Sequence, residues 1–309
     1  MILAFDIGGT KIAAAMIDGE QIVTRRQVPM PQAVDGFAAA IDALTAGLPS
    51  PERVAVASTG FVSEGRIHAV NRNIITFWNG FALHDFLAAR FGCPVVMLND
   101  AQAAAWAEYC AGGRAVGNLL YMTLSTGVGG GLVLGHRLQV GPSGLAGHIG
   151  HATLGTLPLD APVRCGCGRT GCLESVASGT AIARQATAWF GEPLDSRAVF
   201  GRAATDSRAA QILTRAATAV AEAIANCAML VDIGQVVIGG SVGLAPSMPE
   251  RIRAALQAGP ALTRIAVMPA ALGADSGLIG AAQWATQQAT GRHPGGPGVA
   301  SKPNQGARG

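Results

Sequence analysis

The sequence contains one pattern twice, a strand, a glycine turn and a second strand, and this repeat limits the folds open to the chain. Residues 2–7 form a short apolar run, which Gly8 and Gly9 separate from a second run at 11–17. Residues 119–124 lead through the glycine-rich segment 125–131 into another apolar stretch at 132–134. Two such predicted β-hairpins, far apart in the chain, favour duplicated halves over a single sheet.

The rest of the chain alternates between strand and helix patterns. Further strands are expected at 53–57, 94–98, 235–238 and 265–268, and helices at 36–48, 101–111, 180–189, 208–230 and 277–290. Strands followed by helices are typical of an α/β fold with largely parallel pairing. We expect two lobes, 1–113 and 114–290, and a disordered tail at 291–309, where Gly, Pro and polar residues replace apolar periodicity.

Composition excludes several classes of protein. Of 309 residues, 50% are hydrophobic and 13% charged, a mixture that can bury a large core. The net charge is only +3 and no run of Lys or Arg is present, so nucleic acid is not an expected partner. The N-terminus does not look like a signal peptide and no uninterrupted apolar stretch is long enough to span a membrane. We therefore expect a cytoplasmic protein.

The first glycine turn has the features of a phosphate-binding site. Asp6 could hold the water shell of Mg²⁺, Thr10 offers a hydroxyl, and Lys11 is the only lysine before the tail. A glycine turn also leaves backbone N–H groups free and lets a bulky anion approach. The alternative, a solvated lysine beside an ordinary hairpin turn, remains open for this motif alone.

Two other nucleotide motifs can be excluded. Neither lysine lies in a Gly-Lys-Ser/Thr sequence, so the chain has no P-loop. A G-x-G-x-x-G match at 166–171 is interleaved with cysteines and follows no predicted strand. A third glycine cluster, 239–243, follows a predicted strand and could lie against a base or ribose, or could be an ordinary strand-to-helix turn.

The strand expected at 94–98 ends in Asn99 and Asp100, directly before a predicted helix. Ligands of α/β sheets bind beyond the carboxyl ends of the strands, which is where this pair lies. A carboxylate there can take a proton from an attacking hydroxyl, and the amide can bind a neighbouring one. The competing interpretation is that Asp100 only caps the helix.

Three cysteines on a glycine-rich loop, Cys165, Cys167 and Cys172, follow His148 and His151 closely. Three thiolates and one imidazole make a closed tetrahedral zinc site of the structural kind. His151 is the favoured fourth ligand, with His148 as the alternative. A disulfide with one spare thiol would suit an exported protein instead.

Together these motifs, from Asp6 to the Cys-x-Cys-x4-Cys-x-Glu element ending at Glu174, resemble the ROK family of sugar kinases. The resemblance implies the actin-like ATPase fold, in which two RNase H-like lobes close on ATP and a sugar, and it suggests a homodimer. It implies ATP and Mg²⁺ as cofactors, with structural Zn²⁺. The implied nucleotide-binding residues are Asp6, Gly8, Gly9, Thr10, Lys11, Thr126, Gly127, Val128, Gly129, Gly130, Gly131, Gly239, Gly240, Ser241 and Val242.

The resemblance also implies the sugar site. Asp100 would be the general base for the sugar 6-hydroxyl, and the sugar would be lined by Asn73, Asn99, His151 and Glu174. His151 would then bind zinc and face the sugar at once. A kinase is expected over a sugar-sensing pseudokinase, because Asp6, Asp100 and both glycine turns are present. A repressor is not expected, because the phosphate motif at residue 6 leaves no room for a helix-turn-helix.

One residue departs from the family pattern. Most members have Gly-Glu-x-Gly-His, and here His148 stands in place of that Glu. An imidazole can donate as well as accept a hydrogen bond, which suits an acetamido group. Together with the segments 99–108 and 144–151, this replacement resembles the members of the family that act on N-acetylmannosamine. The resemblance implies that sugar as the substrate, phosphorylated at its 6-hydroxyl in sialic acid catabolism. A glucokinase or N-acetylglucosamine kinase, in which His148 is a neutral variation, is the alternative.

Overall fold

A computed structural model of the protein describes residues 1–19, 21–70, 75, 77–155 and 163–290. The predicted sugar residue Asn73 and the predicted tail at 291–309 lie outside the described residues. Two five-stranded sheets and a small two-stranded sheet carry the strands of the described part.

The N-terminal hairpin begins the first sheet. The strands of this half are β1 (Ile2–Ile7), β2 (Lys11–Asp18), β3 (Gln21–Pro29), β4 (Arg53–Ser58), β5 (Phe61–Ser63), β6 (Arg66–His68) and β7 (Val95–Asn99). The sheet has the order β3-β2-β1-β4-β7, and β5 pairs with β6 separately. β1 is antiparallel to β2 and parallel to β4, which is parallel to β7. β1 and β4 are buried in the centre of the sheet, which explains their nearly continuous apolar sequences.

The second sheet repeats this arrangement. Its strands are β8 (Leu119–Leu124), β9 (Val128–Leu134), β10 (Arg137–Gln139), β11 (Gln235–Gly239) and β12 (Ala266–Pro269). Their order is β10-β9-β8-β11-β12, with an antiparallel hairpin followed by two parallel strands. In both sheets the first three strands of the order pair antiparallel with one another, and the last two run parallel to the third. The predicted duplication is therefore confirmed.

Nine helices cover the sheets within the described residues. They are α1 (Val34–Thr45), α2 (Leu83–Phe91), α3 (Asp100–Ala111), α4 (Glu174–Ala177), α5 (Gly179–Phe190), α6 (Ser196–Arg202), α7 (Ser207–Val231), α8 (Met248–Ala258) and α9 (Ser276–Thr290). Three-residue 3₁₀ turns lie at Ile149–His151, Ala261–Thr263 and Gly273–Asp275. Within the described ranges no helix is both long enough and apolar enough to cross a bilayer.

Helices α3 and α9 cross where the two halves meet. α3 contacts β8 and β9 of the second sheet, whereas α9 contacts β1 and β4 of the first. A Cβ atom built on Gly280 would lie 1.8 Å from the carbonyl oxygen of Ala103, so the two backbones approach as closely as only glycine allows. The helix that follows the first sheet in the chain thus packs on the second sheet, and the helix that follows the second sheet packs on the first. The lobe boundary near Gly112–Gly113 stays a prediction, and α9, assigned above to 114–290, packs on the first sheet.

Candidate active site

A cleft of about 590 Å³ lies between the halves, and the β1–β2 turn and the start of α3 line it. Its lining includes residues from all three predicted glycine clusters. They are Asp6, Gly8, Thr10 and Lys11 from the first, Ser125 from the second, and Gly239, Gly240 and Ser241 from the third, with Asp100 at the floor. Ser125 and Ser241 reach each other across the cleft, with hydroxyl oxygens 3.2 Å apart. Segments separated by more than two hundred residues therefore form one cavity, as the nucleotide prediction requires.

The second glycine cluster divides into two parts. Only Ser125–Gly127 forms a turn, closed by the N–H of Ser125 donating to the carbonyl of Gly127 at 2.9 Å. The expectation that the turn extends to Gly131 is wrong, because β9 begins at Val128. A Cβ on Gly131 would lie 2.6 Å from that of Ala105 in α3. The close approach of α3 and of the loop before His148 therefore explains the glycine run in this strand.

The other predicted nucleotide residues are not among those that line this cleft. Thr126 and Gly127 line the adjoining cavity described below. Gly129 lies in β9, where a Cβ would be 3.0 Å from that of Ala101, and Gly130 faces the carbonyl of Gly147. Val242, in the third glycine cluster, is buried in the hydrophobic core of the second half.

Asn99 and Asp100 lie where β7 ends and α3 begins. Asn99 is the N-cap, since its side-chain oxygen accepts from the N–H groups of Ala101 and Gln102 at 3.0 and 3.2 Å. The competing interpretation, that Asp100 caps the helix, is therefore wrong. The amide nitrogen of Asn99 donates to the carbonyl of Gly60 at 2.7 Å and to Oδ1 of Asp100 at 2.9 Å.

Asp100 is held at one oxygen only. Its Oδ1 also accepts from the N–H of Ala101 at 2.8 Å, and in the described part of the chain its hydrogen bonds to other residues all end at this atom. Oδ2 is therefore left for a ligand. Burial raises the pKa of Asp100 to about 6, although the bonds from Ala101 and Asn99 favour the ionised form. At neutral pH the carboxylate is ionised and basic enough to take a proton.

Asp6 faces the same cleft from β1. Burial and then the negative charge of Asp100 raise the pKa of Asp6 to about 7, against the lowering effect of Lys11 and Arg25. Two carboxylates that repel each other in one cleft form a favourable site for a hard cation, because oxygen ligands are those that Mg²⁺ prefers. The donor set therefore fits Mg²⁺.

A second cavity, of about 300 Å³, adjoins the cleft at Thr126 and Gly127. Its lining includes the predicted sugar residues His151 and Glu174, together with Thr59, Gly60, Trp78, Ser178 and Arg184. Oε2 of Glu174 accepts from the N–H of Val128 at 3.0 Å, which fixes the carboxylate beside the glycine turn. A Cβ on Gly127 would be 2.6 Å from that oxygen, so the glycine makes room for Glu174.

His148 lies next to this cavity rather than in it. It lines a larger groove of about 1110 Å³ that shares Ala69, Val70 and His151 with the sugar cavity. Both ring nitrogens of His148 are buried, and among the described residues neither has a hydrogen-bond partner of acceptable geometry. Burial and the neighbouring His151 lower the pKa of His148, so the ring is neutral and has one donor and one acceptor to offer.

The four predicted metal ligands come together. The ligand atoms of His151, Cys165, Cys167 and Cys172 all lie within 4.8 Å of one another. Sγ of Cys167 is 3.6 Å from Sγ of Cys172, and Sγ of Cys165 is 3.5 Å from Nδ1 of His151. Four ligands placed tetrahedrally at the zinc–sulfur bond length would lie about 3.8 Å from one another, and the observed separations are close to that distance. The cluster fits Zn²⁺, and His148, the alternative fourth ligand, is not part of it.

Sequence reasoning missed two polar residues of α3, Gln102 and Glu108, which are 1% and 5% exposed. Gln102 contacts the loop before His148, and Glu108 contacts the loop before α9. The available signal was the helix itself. It carries alanine on every face, which indicates burial all round, so its polar side chains had to have partners inside the protein.

The chain is similar to known proteins over most of its length. The sequence profile described as the ROK family matches residues 2–288. A protein of Yersinia pseudotuberculosis serotype O:1b (strain IP 31758), named N-acetylmannosamine kinase, is 45% identical over 291 residues, which are 92% of this chain and 97% of that protein.

Two solved structures are similar over nearly their full length. The ROK hexokinase of Thermus thermophilus has a TM-score of 0.80 and 35% identity, with 94% of this chain and 99% of that chain covered. A ROK family glucokinase of Streptomyces griseus, solved with glucose and AMPPNP, has a TM-score of 0.77 and 32% identity over 93% of this chain and 99% of that chain. The two-lobed architecture expected from the sequence is thus that of known sugar kinases.

Proposed function

The chain belongs to the ROK family, and on that premise we propose that it transfers the terminal phosphoryl group of ATP to the 6-hydroxyl of N-acetylmannosamine. The observation that carries the proposal is the position of Asp100. It lines the nucleotide cleft, and its hydrogen bonds in the described part of the chain end at one carboxylate oxygen. Its neighbour Asn99 donates to the carbonyl of Gly60, which lines the cavity that also contains His151 and Glu174.

Asp100 acts as the general base. Its Oδ2 takes the proton of the 6-hydroxyl as the sugar oxygen attacks the terminal phosphorus of ATP, and the bond from that phosphorus to the leaving ADP breaks. A pKa of about 6 lets it be ionised at neutral pH and still accept that proton. Asn99 and the N–H of Ala101 hold Oδ1, so the base is oriented before the substrate arrives.

The phosphates occupy the cleft between the first and second glycine clusters. Lys11 and the turns at Gly8 and Ser125–Gly127 surround the developing negative charge, which is the main contribution a protein makes to phosphoryl transfer. Mg²⁺, when bound, would supply positive charge that offsets the charge of the phosphates. Asp6 is the residue that would hold it through water. Gly239 and Gly240 line the same cleft, so their backbone would lie beside the adenosine.

The cluster of metal ligands lies against the sugar cavity, which His151 and Cys165 also line. With Nδ1 of His151 directed at Cys165, the other ring nitrogen is left for a sugar hydroxyl. His151, Cys165, Cys167 and Cys172 would hold Zn²⁺, which would supply rigidity to that ring and to the Cys165–Cys172 loop. The same loop lines the cavity at Cys165 and Gly166. The zinc identity, the homodimer and the cytoplasmic location are part of the proposal.

The choice of N-acetylmannosamine is supported by the 45% identity to the protein named N-acetylmannosamine kinase, and His148 agrees with it. A neutral imidazole offers one donor and one acceptor, which match the carbonyl and N–H of an acetamido group. A coupled ADP-release assay with N-acetylmannosamine, N-acetylglucosamine, glucose and fructose tests the proposal. We expect the highest kcat/KM with N-acetylmannosamine. Equal or higher values with glucose or N-acetylglucosamine would replace the substrate, and no turnover with any of the sugars would exclude a kinase.

A further inference from the structure

Helix α3 connects the catalytic base to both ligand sites through two buried polar side chains. Asp100 stands at its first position, Gln102 in its first turn and Glu108 in its last. The other buried residues of the helix are Ala, Trp and Tyr. Burial of an amide and a carboxylate in an otherwise apolar helix costs free energy unless both are fully hydrogen-bonded. Their partners therefore show what the two residues do.

Gln102 holds the loop that leads to His148. Its Nε2 lies 2.9 Å from the carbonyl oxygen of Ala146 and 3.2 Å from that of Gly144. Its Oε1 accepts the N–H of Asn99 at 3.4 Å and so completes the capping box at the start of α3. One side chain thus joins the residue that orients the base to the loop that positions the sugar-side histidines.

Glu108 holds the loop between β12 and α9. Its Oε2 accepts the N–H of Ala271 and its Oε1 the N–H of Leu272, each at 2.9 Å. The residues on either side of this pair, Ala270 and Gly273, line the nucleotide cleft. A carboxylate is suited to this contact because both of its oxygens accept, whereas an amide would present a donor to one of the two N–H groups.

We propose that Gln102 and Glu108 are positioning residues, the first for the sugar and the second for the nucleotide, which fix the two ligand loops relative to the base through one rigid helix. The inference rests on the proposed kinase function. It predicts separable effects, because each side chain contacts one loop only. A role in stability alone would not divide the effects by substrate.

The test uses two substitutions that exchange a single terminal group at constant shape. Gln102→Glu keeps the oxygen that accepts from Asn99 and replaces the donor to Ala146 and Gly144 by an oxygen that repels their carbonyls. Glu108→Gln keeps one acceptor and turns an NH₂ toward one backbone N–H. A buried polar group left without a partner typically weakens an interaction by a factor of about ten or more.

We expect Gln102→Glu to raise KM for the sugar about tenfold and to leave KM for ATP within about twofold of wild type. Glu108→Gln should do the reverse, with kcat largely kept in both. Gln102→Met, uncharged and of similar shape, serves if the glutamate variant does not fold, and it should raise KM for the sugar in the same way. Equal rises of both KM values in either variant, or a lowered melting temperature with unchanged kinetics, would overturn the proposal.

A binding measurement separates this inference from the proposed function. Calorimetry with a non-hydrolysable ATP analogue reports nucleotide affinity without turnover. Weaker binding by Glu108→Gln than by wild type and Gln102→Glu supports the inference even if N-acetylmannosamine is not the substrate. Equal affinity in all three proteins refutes the nucleotide half, whatever sugar the enzyme takes.

Discussion

The side-chain amide of Asn99 donates a hydrogen bond of 2.9 Å to Oδ1 of Asp100, while its own oxygen caps the helix that Asp100 begins. Asn99 was predicted to bind the sugar. In the structure both ends of its amide are used within the protein, so we propose that it orients Asp100, the proposed base. A base held in this way needs no ordering when the sugar binds, and preorganisation of this kind lowers the barrier to reaction.

Replacing the base should stop the reaction and keep the fold. In Asp100→Asn the new side-chain oxygen can still accept from Asn99 and Ala101, but it cannot take a proton. We expect ADP release to fall by a factor of about 10² to 10⁴, with an unchanged circular dichroism spectrum. Asp35→Asn, at an exposed position in the first turn of α1, is the control for a lost carboxylate. Wild-type turnover in Asp100→Asn would rule out this residue as the base.

The pH dependence of catalysis should show the raised pKa of Asp100. Only the ionised carboxylate can act as the base, so activity is present above its pKa of about 6 and lost below it. We expect kcat/KM, measured with saturating Mg²⁺, to fall about tenfold per pH unit below that value. A profile that stays level down to pH 5 would contradict the assignment.

The stability of the metal-free protein should have the opposite dependence. The pKa values of Asp6 and Asp100 are raised by folding, so the folded state binds more protons than the unfolded state between their ordinary values and about 6 to 7. Their contribution is fully present at low pH and is lost as the pH rises through this range. We expect the decrease in melting temperature from pH 5 to pH 8 to be smaller in Asp100→Asn than in wild type. An identical decrease in both proteins would show that folding does not raise the pKa of this carboxylate.

Apolar runs predicted the central strands well, because a strand buried on both faces is apolar throughout. β1, β4, β8 and β11 lie within one residue of their expected bounds. Edge strand β3 was missed because its exposed positions alternate with half-buried ones and include Arg25. Its sequence lacks the continuous run of a central strand.

The site was predictable where a motif is contiguous and not where tertiary contacts decide. The glycine turns, Asp100 and the four metal ligands lie in short local patterns. The alanines around Gln102 and Glu108 indicate a buried helix, but the partners of these two side chains lie in loops that are far away in the sequence. Helix α8 was missed for a local reason, since it begins after Ser247, whose φ of 69° is left-handed, with a proline in its first turn.

The crossing of α3 and α9 should not tolerate a methyl group. A Cβ at Gly280 would lie 1.8 Å from the carbonyl oxygen of Ala103, so Gly280→Ala must push the helices apart. Overpacking of this kind costs on the order of 1–3 kcal/mol, to be measured by thermal and urea unfolding. Gly201→Ala in α6 is the matched control, because a Cβ there meets nothing within 4 Å and helix propensity favours alanine. Equal stability of the two variants would refute the close crossing.

The cysteine cluster should hold about one zinc ion per chain by elemental analysis, because it supplies a complete set of four ligands. Removing one ligand, as in Cys167→Ser, or adding a strong chelator should release the metal and reduce affinity for the sugar, since His151 belongs to both sites. Cys93→Ala, outside the cluster, is the control and should keep its metal. Purified wild-type protein without any bound metal would contradict the zinc assignment.

His148 should determine which hexose is preferred. Its ring lines the groove next to the sugar cavity, and a neutral imidazole has one donor and one acceptor, which match the carbonyl and the N–H of an acetamido group. His148→Glu replaces the donor by an acceptor, which suits a hydroxyl but leaves the acetamido carbonyl unpaired. We expect kcat/KM for N-acetylmannosamine to fall about tenfold or more relative to that for glucose. His148→Gln, which keeps a donor and an acceptor, should retain most of the preference, and an unchanged ratio in His148→Glu would show that this side chain does not contact the acetamido group.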